Sequence, residues 1–142
     1  MRALLDMNVL MALLDTAHVH HMRARTWSQS HIEAGRASCP LTPNSCIRML
    51  PHQAIPAKSL RPVSLRVYAP LRKTPWHEFW PDDVSLLDLK SIEWRQVRGS
   101  RQLTDVYLLS LAVHRSGCLV TFDRSVSTAS GKSARDIPLV TI

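Results

Sequence analysis

At 142 residues the chain is long enough for one domain with a core of its own and too short for two. An apolar fraction of 45% with 20% charged residues is that of an ordinary soluble globular protein, and no repeat or low-complexity tract interrupts it. Lys plus Arg outnumber Asp plus Glu by 18 to 11, which favours polyanionic partners, and three cysteines without a C-x-x-C pair exclude a disulfide framework and fit buried thiols in a reducing cytosol.

Arg2 to Leu5 reads as a short buried strand stopped by Asp6, and Asn8 to Leu14 as a helix of good helix formers. Strand, acid, helix is the βα unit of an α/β fold, which delivers a side chain at the strand's carboxyl end. Asp6 would serve as the helix N-cap, or Asn8 would cap and free Asp6 for other work. The Leu-rich start carries Asp6, Asn8 and Asp15, so it reads as neither signal peptide nor membrane span, and a cytoplasmic protein is expected.

His18 to Ala34 reads as a second helix ended by Gly35. The cluster His18, His20 and His21 invites zinc, but no fourth ligand stands at a recognisable spacing, so solvated first-turn histidines are expected. Arg36 to Cys39 is a strand candidate, followed by a helix over 43–50 with Thr42 as N-cap and Pro43 at the first helical position. Val63, Val67 and Leu71 share a helical face, with Lys58, Arg61, Arg66, Arg72 and Lys73 making a positive side. Within the basic segment 52–75 a helix is read, opened by Pro62 and kinked or ended by Pro70, whose charge is a wet face or a track for RNA phosphates.

Trp76 to Trp80 reads as a strand, Ser85 to Leu89 as a turn or short helix, and Lys90 to Val97 as a helical piece ended by Gly99. Arg101 to His114 is a long helix with basic residues in its last turn and Gly117 at the position that favours the left-handed conformation. Cys118 to Phe122 is a buried strand, Ser125 to Asp136 a polar loop, and Leu139 to Ile142 the last strand. The alternation implies a three-layer α/β/α fold with a mostly parallel central sheet, in a single domain over 1–142.

From Asp105 to Gly117 a helix advances about 18 Å, and the strand from Cys118 to Asp123 returns roughly 17 Å. Asp105 and Asp123 then lie at one end of the fold. Asp6 and Asp123 both follow strands, so all three reach the carboxyl edge of the sheet, where α/β proteins bind ligands. Three gathered carboxylates repel one another unless a cation joins them, and Mg2+ or Mn2+ prefers such oxygen ligands. A cation held that way in a basic protein suits phosphodiester hydrolysis. Taken singly, Asp105 is equally a first-turn acid on a helix dipole and Asp123 a turn residue. A receiver-like phosphoacceptor domain also sets Asp at strand ends, but it expects its acceptor earlier in the chain and a Lys soon after a late strand.

The segments MRALLDMNVLMALLD, HVHH, CPLTPNSCIRML, EFWPDD and LTDVYLLSLAVHRSGCLVTFDR span most of the length. In them the chain resembles PIN-domain proteins, specifically the VapC-type toxins of prokaryotic toxin–antitoxin pairs. The resemblance implies a metal-dependent endoribonuclease acting on RNA, blocked by a cognate antitoxin and commonly a homodimer. It maps the acidic site onto Asp6, Asp105 and Asp123, with Asn8, Thr42, Asn44 and Thr104 in support. One departure stands out: where such proteins usually carry a fourth acid after the Thr of CPLT, this chain has Pro43 and then neutral Asn44. The alternative reading is therefore a catalytically weakened PIN-like module that binds RNA or protein.

Overall fold

Three consecutive buried residues, Ala3–Leu5, make the first strand, β1, and apolar side chains on both of its faces demand a layer of helix on each side. The computed structural model describes residues 1–49, 68–70, 72–90, 92, 94–97, 99–124, 126 and 139–142. In chain order these form β1, α1 (Met7–Leu14), α2 (His21–Ser30), a 3-10 turn (Ile32–Ala34), β2 (Arg36–Ser38), α3 (Leu41–Met49) and β3 (His77–Phe79). A second 3-10 turn (Trp94–Gln96), α4 (Ser100–His114), β4 (Cys118–Thr121) and β5 (Leu139–Thr141) complete them.

The sheet order is β3-β2-β1-β4-β5, and every pairing is parallel. Leu4, Ala37 and Leu119 face one side, where they pack with Trp80 against Leu108 and Leu111 of α4. Leu5, Val120 and Cys118 face the other, against Val9 and Leu10 of α1 and Cys46 of α3. This is the three-layer α/β/α architecture expected from the alternation. The order reverses direction on the two sides of β1, so the carboxyl ends of β1 and β4 form a topological switch point, the usual ligand crevice of such sheets.

Several boundaries differ from the sequence expectations. The second helix is His21–Ser30 rather than 18–34. Upstream, the Asp15 carboxylate accepts from the Ala17 N–H at 2.9 Å and turns the chain; downstream, Ser30 and His31 bond back to the carbonyls of Thr26 and Trp27 and stop the helix. Gly35, with φ 77°, ends the segment as expected.

Helix α3 starts at Leu41, so Thr42 is not its N-cap: the Asn44 N–H reaches the Pro40 carbonyl, and the buried Thr42 hydroxyl donates to the Cys39 carbonyl at 3.3 Å. Pro43 is its third residue, still within the turn that needs no N–H. The left-handed residue after α4 is Ser116, with φ 52°, not Gly117. The Ser116 and Gly117 N–H groups close the helix onto Val113 and Ala112, a Schellman end. Gly117 is needed for space, because a Cβ there would lie 2.5 Å from Trp80 Cη2 and 2.7 Å from the Arg2 carbonyl oxygen.

The piece read as a helix over 90–97 is, among the described residues, one 3-10 turn. Residues 85–89 hold turns. Most of the basic segment 52–75 and of the loop 125–136 lies outside the described residues, although residues 68–70 are helical. All three cysteines are free and buried, and no helix among the described residues is long and apolar enough to cross a membrane.

Candidate active site

Asp6 leaves β1 and caps α1 in the same step. Its Oδ1 accepts from the Met7 N–H at 2.6 Å, and its backbone N–H bonds the Val120 carbonyl of the neighbouring strand at 3.0 Å. Its Oδ2 accepts from the Thr121 hydroxyl at 2.7 Å and from Asn8 Nδ2 at 2.8 Å. Cap and site residue were weighed as rival roles in the sequence; Asp6 fills the cap with one oxygen and joins a polar network with the other.

Thr121 is the hub of that network. It is the last residue of β4 and fully buried. While its hydroxyl donates to Asp6, its oxygen accepts from Asn8 Nδ2 at 2.8 Å and from the Asp123 N–H at 3.0 Å. Asn8 Oδ1 in turn accepts from the Phe122 N–H at 3.2 Å. Asn8 thus gives one amide hydrogen to Asp6 and uses the other, with its carbonyl, to tie α1 to the end of β4.

Asp105 lies in the second turn of α4, since the helix begins at Ser100 and has no acid in its first turn. The dipole-capping explanation is therefore set aside. Burial pushes its carboxyl up to about 6, and the negative charges of Asp6 and Asp123 push in the same direction. Asp6 is also raised, by burial first and by Asp123 in addition, against the lowering bonds from Thr121, Met7 and Asn8. Each of the two feels Asp123, so the sheet edge and α4 bring the three acids within one another's fields.

The remaining candidates divide. Pro43 and Thr42 occupy the first turn of α3, and Cys46, one turn later, senses the Asp6 charge: burial and that charge push its thiol up to about 12. The place of the missing fourth acid therefore belongs to a helix that passes Asp6. Asn44 is exposed on α3, and Thr104 is exposed on α4 and takes no part in the network among the described residues.

The histidines are not the solvated first-turn residues expected. His21 Nδ1 bonds the Ala12 carbonyl at 2.8 Å, His18 Nδ1 accepts from the His20 N–H at 3.1 Å, and the His20 ring stacks on Phe122. Thr121 was missed in sequence as a member of this network. A threonine two residues before an acid at a strand end was the available signal for it.

The donor set of three carboxylates fits a hard divalent cation in charge and ligand type. In position the fit is looser: among the described residues no three His, Cys, Asp or Glu side chains stand as a finished ion-holding group. Three of the roughly four lone-pair directions of Asp6 are already engaged, which limits it to a single further bond.

Comparison with known proteins gives 42% identity over 142 residues to Ribonuclease VapC44 of Mycobacterium tuberculosis, covering 100% of both chains. The chain belongs to the VapC-type PIN-domain family. Ribonuclease VapC29 of the same organism is 39% identical over 141 residues, covering 99% of this chain and 100% of its own. Ribonuclease VapC38 is 39% identical over 142 residues and 99% of each. No family model matches.

Proposed function

We propose that the chain is an endoribonuclease toxin that hydrolyses RNA phosphodiester bonds with Mg2+, or Mn2+, held by Asp6, Asp105 and Asp123. The observation that carries this reading is the Asp105 carboxyl, raised to about 6 by burial beside two further acids at the switch point of the sheet. Such mutual repulsion is relieved by a cation. When bound, that cation supplies an acidified water and stabilises charge on the leaving oxygen. The protein's own part is to hold the acids in place: Thr121 and Asn8 fix the direction of Asp6 and the turn that carries Asp123. The excess of 18 Lys and Arg over 11 Asp and Glu attracts the RNA backbone. Neutralisation by a cognate antitoxin, a homodimeric state and a cytoplasmic setting complete the proposal, supported by membership of the family.

A second reading is favoured by Pro43. The first turn of α3 passes Asp6 without offering a fourth acid, so the site carries one negative charge fewer than the family pattern, and a weakened RNA- or protein-binding module results. One experiment separates the two. Purified protein is incubated with structured RNA and Mn2+, with and without chelator, beside Asp105→Asn. Cutting that chelator and the substitution both abolish supports the nuclease; RNA retained stoichiometrically and left intact supports the binder.

A further inference from the structure

His20 occupies the N-cap position of α2, yet its side chain makes no cap bond. Ser, Thr, Asp or Asn would serve that helix better. The imidazole packs against Phe122 instead. It lies nearly flat on the Phe122 ring, with centroids 4.6 Å apart and planes 29° from parallel. The His18 ring follows at 5.7 Å. This short loop is itself anchored to α1, through the His18 N–H on the Asp15 carbonyl at 3.1 Å and His21 Nδ1 on the Ala12 carbonyl at 2.8 Å.

Phe122 is the residue between the buried hub Thr121 and Asp123. Its N–H is held by Asn8 Oδ1, and the next N–H, of Asp123, is held by Thr121 Oγ1. Those bonds fix the backbone only. The Phe122 ring packs against the apolar layer under α1 on one side and is stacked by His20 as well, and Asp123 is one peptide away.

We propose that His20 is a positioning residue of the acidic site, its ring clamping Phe122 and so holding the Thr121–Asp123 turn at the carboxyl edge of the sheet. The kinetic part of this inference rests on the nuclease reading; the structural part does not.

The test compares His20→Ala, which removes the ring, with His20→Phe, which keeps one able to stack. Amide hydrogen exchange is read without metal or RNA. Phe122 and Asp123 are expected to exchange at least severalfold faster in His20→Ala and near the wild-type rate in His20→Phe, with the Leu119 and Val120 amides of β4 unchanged. In RNA cleavage, kcat is expected to fall three- to tenfold in His20→Ala, about 0.7–1.4 kcal/mol, with KM unchanged and activity restored in His20→Phe. Unchanged exchange in His20→Ala overturns the clamp. So does a His20→Phe variant as slow as His20→Ala, which would mean that the imidazole itself touches RNA. Should His20→Ala melt globally, Phe122→Leu removes the other ring of the stack and is read the same way. If the wild type cuts no RNA, the nuclease reading fails while the exchange arm still decides the clamp.

Discussion

Replacing Asp105 by Asn removes a charge that the folded protein disfavours, and the size of the effect follows from the site. A carboxyl moved from 3.8 to about 6 corresponds to about 3 kcal/mol at 1.36 kcal/mol per pH unit. The side chain is only partly buried, and screening by water reduces this to roughly 1–2 kcal/mol. Well below pH 3.8 Asp105 is protonated in the folded and unfolded chains alike and contributes nothing. As pH rises through 3.8 towards 6 the unfolded chain ionises first, so stability falls, and above about 6 the loss is complete.

Asp105→Asn is spared that loss. In chelator at pH 7.5 its melting temperature is expected to exceed the wild type's by about 3–8 °C, with the gap closing towards pH 4. Mn2+ should then raise the wild-type melting temperature and leave the variant's almost unmoved, because binding to the folded state alone stabilises by mass action. A variant that melts at or below the wild type at pH 7.5 in chelator, or a gap that is the same at pH 4, would refute the raised Asp105 carboxyl, which burial and the neighbouring acids produce together.

Thr121→Val keeps the shape of a buried side chain but strands hydrogen-bonding groups of Asp6, Asn8 and the Asp123 amide; a loss of about 2–3 kcal/mol in denaturant unfolding is expected, with RNA cleavage falling alongside. Gly117→Ala drives a methyl into Trp80 and the Arg2 carbonyl, and should cost about 1–3 kcal/mol. By contrast, Ser116→Gly relieves a left-handed residue and should stabilise by about 0.5–1 kcal/mol; equal effects of the two glycine exchanges would contradict the assignment of strain to 116 and close packing to 117. Pro43→Glu returns a fourth acid to the first turn of α3 and is expected to tighten Mn2+ binding about tenfold by calorimetry; unchanged affinity would mean that this turn does not serve the ion.

How much was legible in the chain follows from what each signal depends on. Local signals were read well. The run Ala3–Leu5 and the segment Cys118–Thr121 are buried strands because uninterrupted apolar sequence of that length has no amphipathic alternative, and α4 declares itself by its length and its basic end. The placement of acids after β1 and β4, at one edge of a parallel sheet, follows from chain direction alone, so Asp6 and Asp123 could be assigned to that edge before any coordinates.

Tertiary structure decided the rest. Competing side-chain bonds at Asp15 and Ser30, of a kind that propensity does not record, cut the second helix to His21–Ser30. Gly117 looked like a conformational glycine, but the ring of Trp80, 37 positions earlier in the sequence, makes it a spatial one. Thr121 became the hub only because β1 and β4 are neighbours, and His20 reached Phe122 across about a hundred residues of sequence. Sequence specifies which groups stand at the strand ends, since that depends on near neighbours and direction; which of them touch depends on strand order and packing, which no local pattern encodes.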